Sequence, residues 1–453
     1  MRVAFYTLGC KLNQAETESL ANRFSQAGFQ LVSPGDGADI YIANTCTVTH
    51  IADRKSRHWL RLARRRNPRA LIIATGCYAQ KSRQELAQLA DLIVDNKEKE
   101  HLLEIVRGLP LPTPPSTPAT TPASAGRSSL RHCKPRLRRG EAIYPVAATV
   151  RTRSLIKIQD GCHSPCTYCI VPKVRPREYS LPASQIIDEV KQKVDLGYKE
   201  VVLTGTKVGS YRDANTDLND LVQRILHDTG IKRLRLSSLQ PSEICPELLA
   251  LWQDERLCRH FHLALQSGSQ TVLQRMKRSY SLEQYHRTID LIKERIPEVA
   301  ITTDIMVGFP GESDAEFEQS YSFCQQAGFA NIHVFPYSPR PETAAVGMPE
   351  QTKDKVKREH NQLMLELAQS SRRRFCEQFL GQTMPALWEN ETSPGSSIYS
   401  GLTGNYIRVH AHSEKLLINE ITPVRLVKFQ NQGIWGELTR RLEIINTNTQ
   451  NES

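Results

Sequence analysis

The stretch of sequence that decides the fold is Leu155-Ile-Lys-Ile-Gln-Asp-Gly-Cys-His-Ser-Pro-Cys-Thr-Tyr-Cys169. It joins a short strand-like run, residues 155–159, to a loop in which Cys162, Cys166 and Cys169 have the spacing C-x3-C-x2-C. Thiolates are the usual ligands of iron–sulfur clusters, and three of them leave one iron of a four-iron cluster without a protein ligand. Such an open position can take part in chemistry, as it does at catalytic zinc sites.

A zinc site is the alternative for these three cysteines. Structural zinc favours C-x2-C pairs and is closed by four ligands. No fourth Cys or His stands at a suitable spacing, because His163 lies between the ligands and Cys133 belongs to a low-complexity stretch. The sequence therefore favours an iron–sulfur cluster.

The bulk properties indicate a large protein of a reducing compartment. A chain of 453 residues predicts about three domains. Its eleven cysteines, an odd number, fit free or metal-bound thiols better than a disulfide framework. The chain starts directly with a strand-like pattern instead of a signal peptide, and its apolar runs are far shorter than a membrane span. We therefore expect a cytoplasmic protein that does not bind a membrane.

Two segments before the cysteine triplet differ in character. Residues 1–107 alternate helical patterns with short apolar runs at 3–7, 39–43, 70–74 and 91–95, which predicts a parallel-sheet α/β domain. Residues 108–140 are rich in Pro, Thr, Ser and Ala and then basic, which predicts a flexible linker with Cys133 as a bystander.

The central segment, residues 141–372, predicts an open barrel. Its candidate strands are 155–159, 200–204, 233–237, 261–265, 299–306 and 331–337, with helical patterns between them. One of these helices is expected at 184–194, capped by Ser184. Six repeats are too few for a closed eight-fold barrel, so we predict a partial (β/α)6 barrel. Ligands of such folds bind beyond the carboxyl ends of the strands, where the Cys162 loop falls.

The last segment, residues 373–443, predicts a small β-barrel. Short strand-like runs at 384–388, 405–410 and 423–429 are separated by Gly, Asn and Ser. Modules of this kind are often OB-like barrels that bind RNA. The polar tail, residues 444–453, is expected to be disordered.

The charge distribution indicates a polyanionic partner. The formal charge is +11, and it is concentrated in runs at 54–69, 131–139 and 372–374. The first run contains eight basic residues and no acidic one: Arg54, Lys55, Arg57, Arg61, Arg64, Arg65, Arg66 and Arg69. Any one run is explained by a solvated helix face, but three runs at domain junctions favour nucleic acid.

These pieces together resemble the radical S-adenosylmethionine methylthiotransferases over essentially the whole chain. The segment from Cys162 to Cys169, with Tyr168 before the last cysteine, is similar to the signature of radical S-adenosylmethionine enzymes. The resemblance implies that Cys162, Cys166 and Cys169 hold a [4Fe–4S] cluster. It also implies that the open iron binds S-adenosylmethionine, that cleavage of this cofactor supplies a radical, and that two molecules of it are used per turnover.

The resemblance also gives a role to three N-terminal cysteines. Thr7-Leu-Gly-Cys10, Asn44-Thr-Cys46 and Thr75-Gly-Cys77 each place a cysteine at the end of a predicted strand. Taken singly, each fits a structural thiol. The resemblance implies instead that Cys10, Cys46 and Cys77 hold a second, auxiliary [4Fe–4S] cluster that delivers the methylthio group.

Residues 7–18, 44–57 and 75–80 look most like the branch that acts on N6-threonylcarbamoyladenosine in tRNA. This implies conversion of that nucleoside, next to the anticodon, to its 2-methylthio derivative, with C–H replaced by C–SCH3. The same reaction on N6-isopentenyladenosine or on a ribosomal-protein side chain is the alternative, and a non-catalytic, zinc-stabilised RNA-binding protein is the alternative of another class. The C-terminal segment resembles the TRAM domain, which would bind the tRNA anticodon loop. An electron donor such as a flavodoxin or ferredoxin and a monomeric state are also expected.

Segments after consecutive barrel strands resemble the S-adenosylmethionine pocket of the family. The residues that this implies for cofactor binding are Thr204, Gly205, Thr206, Ser237, Gln266, Ile305 and Gly308. No catalytic acid or base can be nominated, and hydrogen abstraction by a radical does not obviously require one. The chain departs from the family pattern at Pro176, Leu181 and Glu342, where a substrate-facing loop could be altered.

Overall fold

The computed structural model describes residues 1–109, 152–430 and 432–439. It divides into two compact units. Of the described residues, the first unit contains the N-terminal ones together with 169–177 and 338–342, and the second contains those in 152–168, 178–337 and 343–439. Nearly all of the predicted linker, with Cys133 and the basic run at 131–139, and the whole predicted tail lie outside the described residues.

The first unit contains the predicted parallel sheet. Its strands are β1 (Arg2–Thr7), β2 (Gln30–Leu31), β3 (Ile40–Thr45), β4 (Leu71–Gly76) and β5 (Leu92–Ile93), in the order β2-β1-β3-β4-β5. Its helices are α1 (Lys11–Gln26), α2 (His50–Arg66), α3 (Cys77–Lys81), α4 (Arg83–Leu86), α5 (Leu102–Arg107) and α6 (Val171–Val174). The parallel α/β class predicted for this domain is confirmed, and β2 is a strand that the sequence analysis did not predict.

Helices cover both faces of this sheet, because adjacent residues of a strand point to opposite sides. On one face Tyr6 stacks on Trp59 of α2 with ring centroids 4.1 Å apart. On the other face Phe5 packs edge-on against Phe24 of α1 at 5.5 Å. Helix α2 starts before the predicted basic run, because the Thr49 hydroxyl caps it by accepting a hydrogen bond from the Ala52 N–H.

The second unit begins with the parallel strands of the barrel. All six predicted strands are present: β6 (Arg153–Lys157), β9 (Glu200–Thr204), β12 (Arg233–Leu236), β14 (His260–Leu263), β15 (Ala300–Val307) and β16 (Asn331–Pro336). They form the parallel sheets β12-β9-β6 and β13-β14-β15-β16, which agrees with the predicted partial barrel. The remaining short strands are β7 (Gln159–Asp160), β8 (Tyr179–Ser180), β10 (Arg212–Asp213), β11 (Thr216–Asp217) and β13 (Ser238–Leu239).

Helices separate the strands of this barrel. They are α7 (Ala183–Asp195), α8 (Leu218–Asp228), α9 (Pro246–Ala250), α10 (Gln270–Arg275), α11 (Leu282–Arg295), α12 (Asp314–Ala327) and α13 (Asp354–Glu377). The prediction that Ser184 caps α7 is wrong, because the helix starts at Ala183 after Pro182, and Ser184 lies inside its first turn. The core between strands and helices contains fully buried Phe261, Tyr285 and Ile305.

A closed β-barrel follows α13, as predicted. Its strands are β17 (Thr383–Glu391), β18 (Ile398–Thr403), β19 (Arg408–His412), β20 (Ile421–Gln430) and β21 (Gly433–Leu438). The sequence predicted three of these five strands, because β18 contains Ser400 and Gly401 and β21 contains Gly433 and Gly436, residue types that are typical of loops. The strand predicted from Asn405 starts only at Arg408, because Tyr406 adopts a left-handed φ of 68°.

This β-barrel packs against the amino-terminal end of the parallel strands. Arg233, the first residue of β12, donates to the Leu402 carbonyl at 2.9 Å and to the Pro385 carbonyl at 2.7 Å. Tyr406 stacks on His260 at 4.4 Å and lies 4.9 Å from the Arg235 guanidinium. The opposite, carboxyl end of the strands contains the residues predicted to bind the cofactor.

Candidate cluster and cofactor sites

The structure places Cys10, Cys46 and Cys77 after three neighbouring strands of the first unit. Cys46 and Cys77 directly follow β3 and β4, and Cys10 lies three residues beyond the end of β1. The register pairs Thr7 with Asn44 in β1 and β3, and Thr45 with Gly76 in β3 and β4. Because parallel strands lie about 4.8 Å apart and end at the same edge of a sheet, this topology gathers three cysteines that are far apart in sequence.

Two glycines allow this close approach. Gly9 and Gly76 precede Cys10 and Cys77, and both have a left-handed φ, of 102° and 94°. A Cβ atom at Gly9 would lie 2.8 Å from the Cys46 Sγ, and one at Gly76 would lie 2.4 Å from the Thr45 carbonyl. Any larger residue would push the strand ends apart, which explains the Gly-Cys pairs at these positions.

The three thiols interact electrostatically. Burial raises the pKa of Cys46 most strongly, and the neighbouring Cys77 and Cys10 raise it further. Burial also raises the pKa of Cys10, and the Arg175 guanidinium opposes part of that rise. Burial and the neighbouring thiols therefore disfavour the thiolate forms, and a nearby cation such as the Arg175 guanidinium favours them.

A buried polar network lies beside these thiols in the same unit. The Arg175 Nε donates to the Cys77 Sγ at 3.4 Å. Its Nη1 and Nη2 donate to the Glu16 carboxylate at 2.8 and 2.9 Å, and Nη2 also donates to Asn13 at 2.9 Å. Lys99 completes the network by donating to Glu16 at 2.6 Å and to Asn44 at 3.2 Å. The sequence analysis missed this network, although Asn13 and Asn44 stand within three residues of Cys10 and Cys46.

A second buried ion pair lies under the loop that carries Cys46. Arg340, which is 1% exposed, donates to Asp53 at 2.6 Å and to the Thr47 carbonyl at 2.8 Å. Asp53 lies in the first turn of α2, where a carboxylate is also favoured by the helix dipole. Two arginines from late in the chain, Arg175 and Arg340, therefore contact the strand-end loops of the first unit.

The C-x3-C-x2-C loop follows β7, as the sequence predicts. Cys162, Cys166 and Cys169 are all half-buried. Cys162 accepts a hydrogen bond from the Ser164 N–H at 3.4 Å. Thr167 anchors the loop, because its N–H donates to the Met276 carbonyl at 3.1 Å and its hydroxyl donates to the Arg275 carbonyl at 3.0 Å.

An arginine that the sequence analysis did not nominate contacts this loop. Arg278 donates from Nη1 to the Cys166 Sγ at 3.2 Å and from Nε to the Tyr280 hydroxyl at 3.0 Å. It also lies 3.4 Å from the Tyr168 hydroxyl. No local motif marks Arg278, because only the fold brings the turn after α10 to the cysteine loop.

The predicted cofactor residues lie at the carboxyl ends of four barrel strands. Thr204 ends β9, with Gly205 and Thr206 after it, and Ser237 directly follows β12. Gln266 lies three residues beyond β14. Ile305 lies within β15 and Gly308 directly follows that strand.

Two of these residues present buried polar atoms that lack a hydrogen-bond partner among the described residues, namely Thr206 Oγ1 and Gln266 Oε1. Gln266 also has a left-handed φ of 75°, held by hydrogen bonds to the backbone of Asp304 and Met306 at 2.8 and 2.9 Å. Strained backbone and unsatisfied buried groups are typical of ligand sites. These atoms fit a polar cofactor at this edge.

Ile305 and Gly308 lie in different environments at this edge. The Ile305 side chain is fully buried in the core between strands and helices, so it has no polar side-chain group to offer a ligand. The Gly308 N–H donates to the Glu312 carboxylate. Burial raises the pKa of Glu312 to about 7, although the hydrogen bond from Gly308 opposes this rise.

The three departures from the family pattern have different settings. Pro176 is exposed. Leu181 is half-buried and packs against the barrel core, and its carbonyl accepts a hydrogen bond from the Tyr211 hydroxyl at 2.9 Å. Glu342 adopts a left-handed φ of 72°, which suits the glycine of the family pattern better than a glutamate.

Among the described residues, no three His, Cys, Asp or Glu side chains are close enough to chelate a single metal ion. The fit of the N-terminal cysteines to an iron–sulfur cluster therefore depends on their thiol chemistry, their shared sheet edge and their mutual charge coupling. In the same described ranges, no helix is long and apolar enough to span a bilayer.

Comparison with known families agrees with this architecture. The model of the Radical SAM superfamily matches residues 156–324, and the model described as uncharacterized protein family UPF0004 matches residues 2–95. The radical S-adenosylmethionine methyltransferase TsrM from Kitasatospora setae has the same fold, with a TM-score of 0.52 at 14% identity over 76% of this chain and 77% of that one. The chain is therefore a radical S-adenosylmethionine enzyme, a class that uses a [4Fe–4S] cluster and S-adenosylmethionine.

Full-length relatives define the family more narrowly. Threonylcarbamoyladenosine tRNA methylthiotransferase MtaB from Bacillus subtilis is 35% identical, with 97% of each chain covered. The protein of the same name from Aquifex aeolicus is 37% identical, over 92% of this chain and 98% of that one. tRNA-2-methylthio-N(6)-dimethylallyladenosine synthase from Syntrophotalea carbinolica is 30% identical, over 96% and 99%. The chain belongs to the radical S-adenosylmethionine methylthiotransferases.

Proposed function

We propose that this methylthiotransferase converts N6-threonylcarbamoyladenosine next to the anticodon of tRNA to its 2-methylthio derivative. The observation that carries the proposal is the second cysteine set, because Cys10, Cys46 and Cys77 share one sheet edge in a unit that is separate from the barrel. A radical enzyme that only abstracts hydrogen needs one cluster. A second set of three thiols supplies a place from which sulfur is delivered.

Two clusters and S-adenosylmethionine would supply, when bound, the radical and the methylthio group for the change from C–H to C–SCH3 at C2 of the adenine. The protein's part is to hold and orient these groups. Cys162, Cys166 and Cys169 would hold the radical cluster, with Arg278 donating to the Cys166 sulfur. Cys10, Cys46 and Cys77 would hold the auxiliary cluster.

The cofactor pocket lies at the carboxyl edge of the barrel. Thr206 Oγ1 and Gln266 Oε1 are the buried polar atoms that S-adenosylmethionine would satisfy. The other residues assigned to the pocket are Thr204 and Gly205 at the end of β9, Ser237 after β12, Ile305 in β15 and Gly308 after it. We assign no catalytic acid or base to the reaction.

The choice of nucleoside is supported by similarity. Relatives named for threonylcarbamoyladenosine are 33–37% identical to this chain, and those named for dimethylallyladenosine are 29–31% identical. The segments around the N-terminal cysteines also resemble the first group. The two ranges are close, so the nucleoside must be tested directly.

A tRNA partner is supported by the basic surface of α2. Arg61, Arg64 and Arg65 line a surface pocket of about 310 Å³ with residues 87–91. Arg61 and Arg65 are exposed there, while Arg64 pairs with Asp91. Guanidinium groups arranged in this way favour phosphate contacts, which give affinity without reading sequence. The C-terminal β-barrel would hold the anticodon loop, since loop bases are easily unstacked.

Mass spectrometry of tRNA nucleosides tests this function. Cells that lack the gene should lose 2-methylthio-N6-threonylcarbamoyladenosine and accumulate the unmodified N6-threonylcarbamoyladenosine. Loss of the 2-methylthio derivative of isopentenyladenosine would establish the other tRNA substrate. Unchanged tRNA with a change in ribosomal-protein mass would move the reaction to a protein side chain.

Anaerobic purification tests the cofactors. Two [4Fe–4S] clusters predict a brown protein with about eight irons per chain and broad absorbance near ~400 nm. A colourless protein that binds only zinc would support the non-catalytic RNA-binding alternative. Reduction by a flavodoxin or ferredoxin, and elution as a monomer, are the further expectations of the proposal.

A further inference from the structure

The feature with consequences beyond the proposed function is the buried network around Arg175. Its three charged side chains are almost completely enclosed, with exposed fractions of 4% for Arg175, 4% for Lys99 and 7% for Glu16. Ionic groups are costly to bury, and replacing such a network by apolar residues is often neutral or stabilising. Stability alone is therefore a weak reason for three charges beside three cysteines.

The geometry aims the guanidinium at one sulfur. Nη1 and Nη2 of Arg175 form a bidentate pair with Glu16, and Nη2 also donates to Asn13. These contacts fix the plane of the guanidinium and leave Nε to donate to the Cys77 Sγ at 3.4 Å. A lysine in this position could not make the bidentate pair and the sulfur contact together.

Glu16 is itself held from the other side. Lys99 donates to Glu16 at 2.6 Å and to Asn44, which lies on β3 two residues before Cys46. Asn13 donates in turn to the Leu8 carbonyl at 2.8 Å and to the Thr45 carbonyl at 3.1 Å. The network therefore contacts the loop after β1 and the last residues of β3 through hydrogen bonds, and the thiol after β4 through Arg175.

We propose that Arg175 is a positioning residue that sets the reduction potential of the cluster held by Cys10, Cys46 and Cys77. This inference rests on the proposed function, because it requires that cluster. Hydrogen bonds to cluster sulfurs and nearby charge are among the factors that set such potentials. A cation next to Cys77 stabilises the reduced, more negative state, so it raises the potential.

The sign of the effect separates this role from a structural one. Arg175→Gln removes the cation and should lower the midpoint potential. Glu16→Gln removes the carboxylate and should raise it, because Glu16 opposes the field of Arg175 at the sulfurs. We expect each change to shift the one-electron reduction equilibrium at least tenfold, which corresponds to about 59 mV.

The experiment uses the full chain with Cys162→Ala, Cys166→Ala and Cys169→Ala, so that only the N-terminal cluster remains. Iron content and a potentiometric titration followed by electron paramagnetic resonance are measured with dithionite as reductant. Arg175→Lys keeps the charge but not the fork, and should give a smaller shift than Arg175→Gln. Arg177→Gln is the matched control, because Arg177 lies on the same segment but is exposed, and its potential should equal the parent's.

The outcomes distinguish the two proposals. A parent protein without about four irons per chain would contradict the proposed function at this site. A cluster whose potential is the same in the parent, Arg175→Gln and Glu16→Gln would overturn the role of Arg175 and leave the function intact. If Arg175→Gln fails to assemble a cluster, the potentials of Glu16→Gln and Arg175→Lys are compared instead. Shifts of the same sign in these two variants, or loss of the cluster in both, would also overturn the role of Arg175.

Discussion

The two cysteine sets of this enzyme are built in opposite ways. Cys162, Cys166 and Cys169 lie in one short loop, so their relation is written in the spacing of the sequence. Cys10, Cys46 and Cys77 come from three loops, and only the strand order β1-β3-β4 gathers them. In the loop set, Cys162, Cys166 and Cys169, the Cys166 sulfur accepts a hydrogen bond from Arg278. The strand-end set, Cys10, Cys46 and Cys77, is accompanied by the buried ion pairs Arg175–Glu16 and Arg340–Asp53. A site assembled from distant segments needs more buried contacts to fix its geometry.

The sharpest test of this comparison removes one cysteine from each set. Cys166→Ala should abolish cleavage of S-adenosylmethionine and remove about four of about eight irons. Cys46→Ala should remove a similar amount of iron and abolish methylthio transfer, yet leave cofactor cleavage measurable. Iron analysis and quantification of 5′-deoxyadenosine check both variants.

Cys258→Ala is the control, since Cys258 is a buried thiol of the barrel outside both sets, and it should keep all iron. Loss of cofactor cleavage in Cys46→Ala to the same extent as in Cys166→Ala would contradict the independence of the two sets. It would mean that the cysteines act as one structural group.

The buried ion pair between Arg340 and Asp53 should stabilise the strand-end set. Asp53→Ala leaves Arg340 buried without its carboxylate, and breaking a buried pair in this way costs about 3–5 kcal/mol. The side chains of Arg340 and Asp53 are 2% and 11% exposed, so solvent screens the pair little. We expect a clearly lower Tm and reduced iron retention in the N-terminal set.

Glu359→Ala serves as the comparison, because its pair with Lys355 is exposed and separated by 3.8 Å. Exposed pairs contribute little, so this variant should unfold like the parent. Equal Tm values for Asp53→Ala and Glu359→Ala would show that the strand-end set does not depend on its buried charges.

The contrast between local and distant contacts explains which parts of the fold and of the sites could be predicted from the sequence. The Cys162 loop, the six barrel strands and the parallel sheet could be predicted, because spacing and apolar periodicity are local signals. Arg175 and Arg340 could not, because each contacts residues more than 150 positions away in sequence, such as Glu16 and Asp53. Strands β18 and β21 were missed because Gly and Ser are favoured by loops but also occur where barrel strands pack closely.

A smaller, pH-dependent effect is expected at the barrel edge. The folded-state pKa of Glu312, about 7, is above its ordinary value because of burial. The protonated Glu312 carboxyl therefore contributes fully to the free energy of unfolding below its ordinary pKa, and this contribution is lost as the pH rises through about 7. Glu312→Gln should raise the free energy of unfolding by about 1–3 kcal/mol at pH 8 and change it little near pH 5.

Thermal unfolding at both pH values measures this difference. Glu318→Gln is the control, because Glu318 is an exposed residue on α12, the helix that follows Glu312, and this variant should unfold like the parent at both pH values. A stabilisation by Glu312→Gln that is equal at pH 5 and pH 8 would mean that packing, and not the charge beside Gly308, sets the effect.

The smallest effect should come from Glu342, which follows the arginine that supports the strand-end set. A non-glycine residue with φ of 72° carries a backbone penalty of about 1 kcal/mol, which glycine avoids at the cost of greater chain entropy. Glu342→Gly and Glu342→Ala both remove the attraction between Glu342 and Lys81. The difference between the two variants therefore isolates the backbone, and Glu342→Gly should be more stable than Glu342→Ala by about 1 kcal/mol in chemical denaturation. Identical midpoints would show that this segment tolerates the left-handed residue without strain, and that the departure from the family glycine has no cost in the first unit.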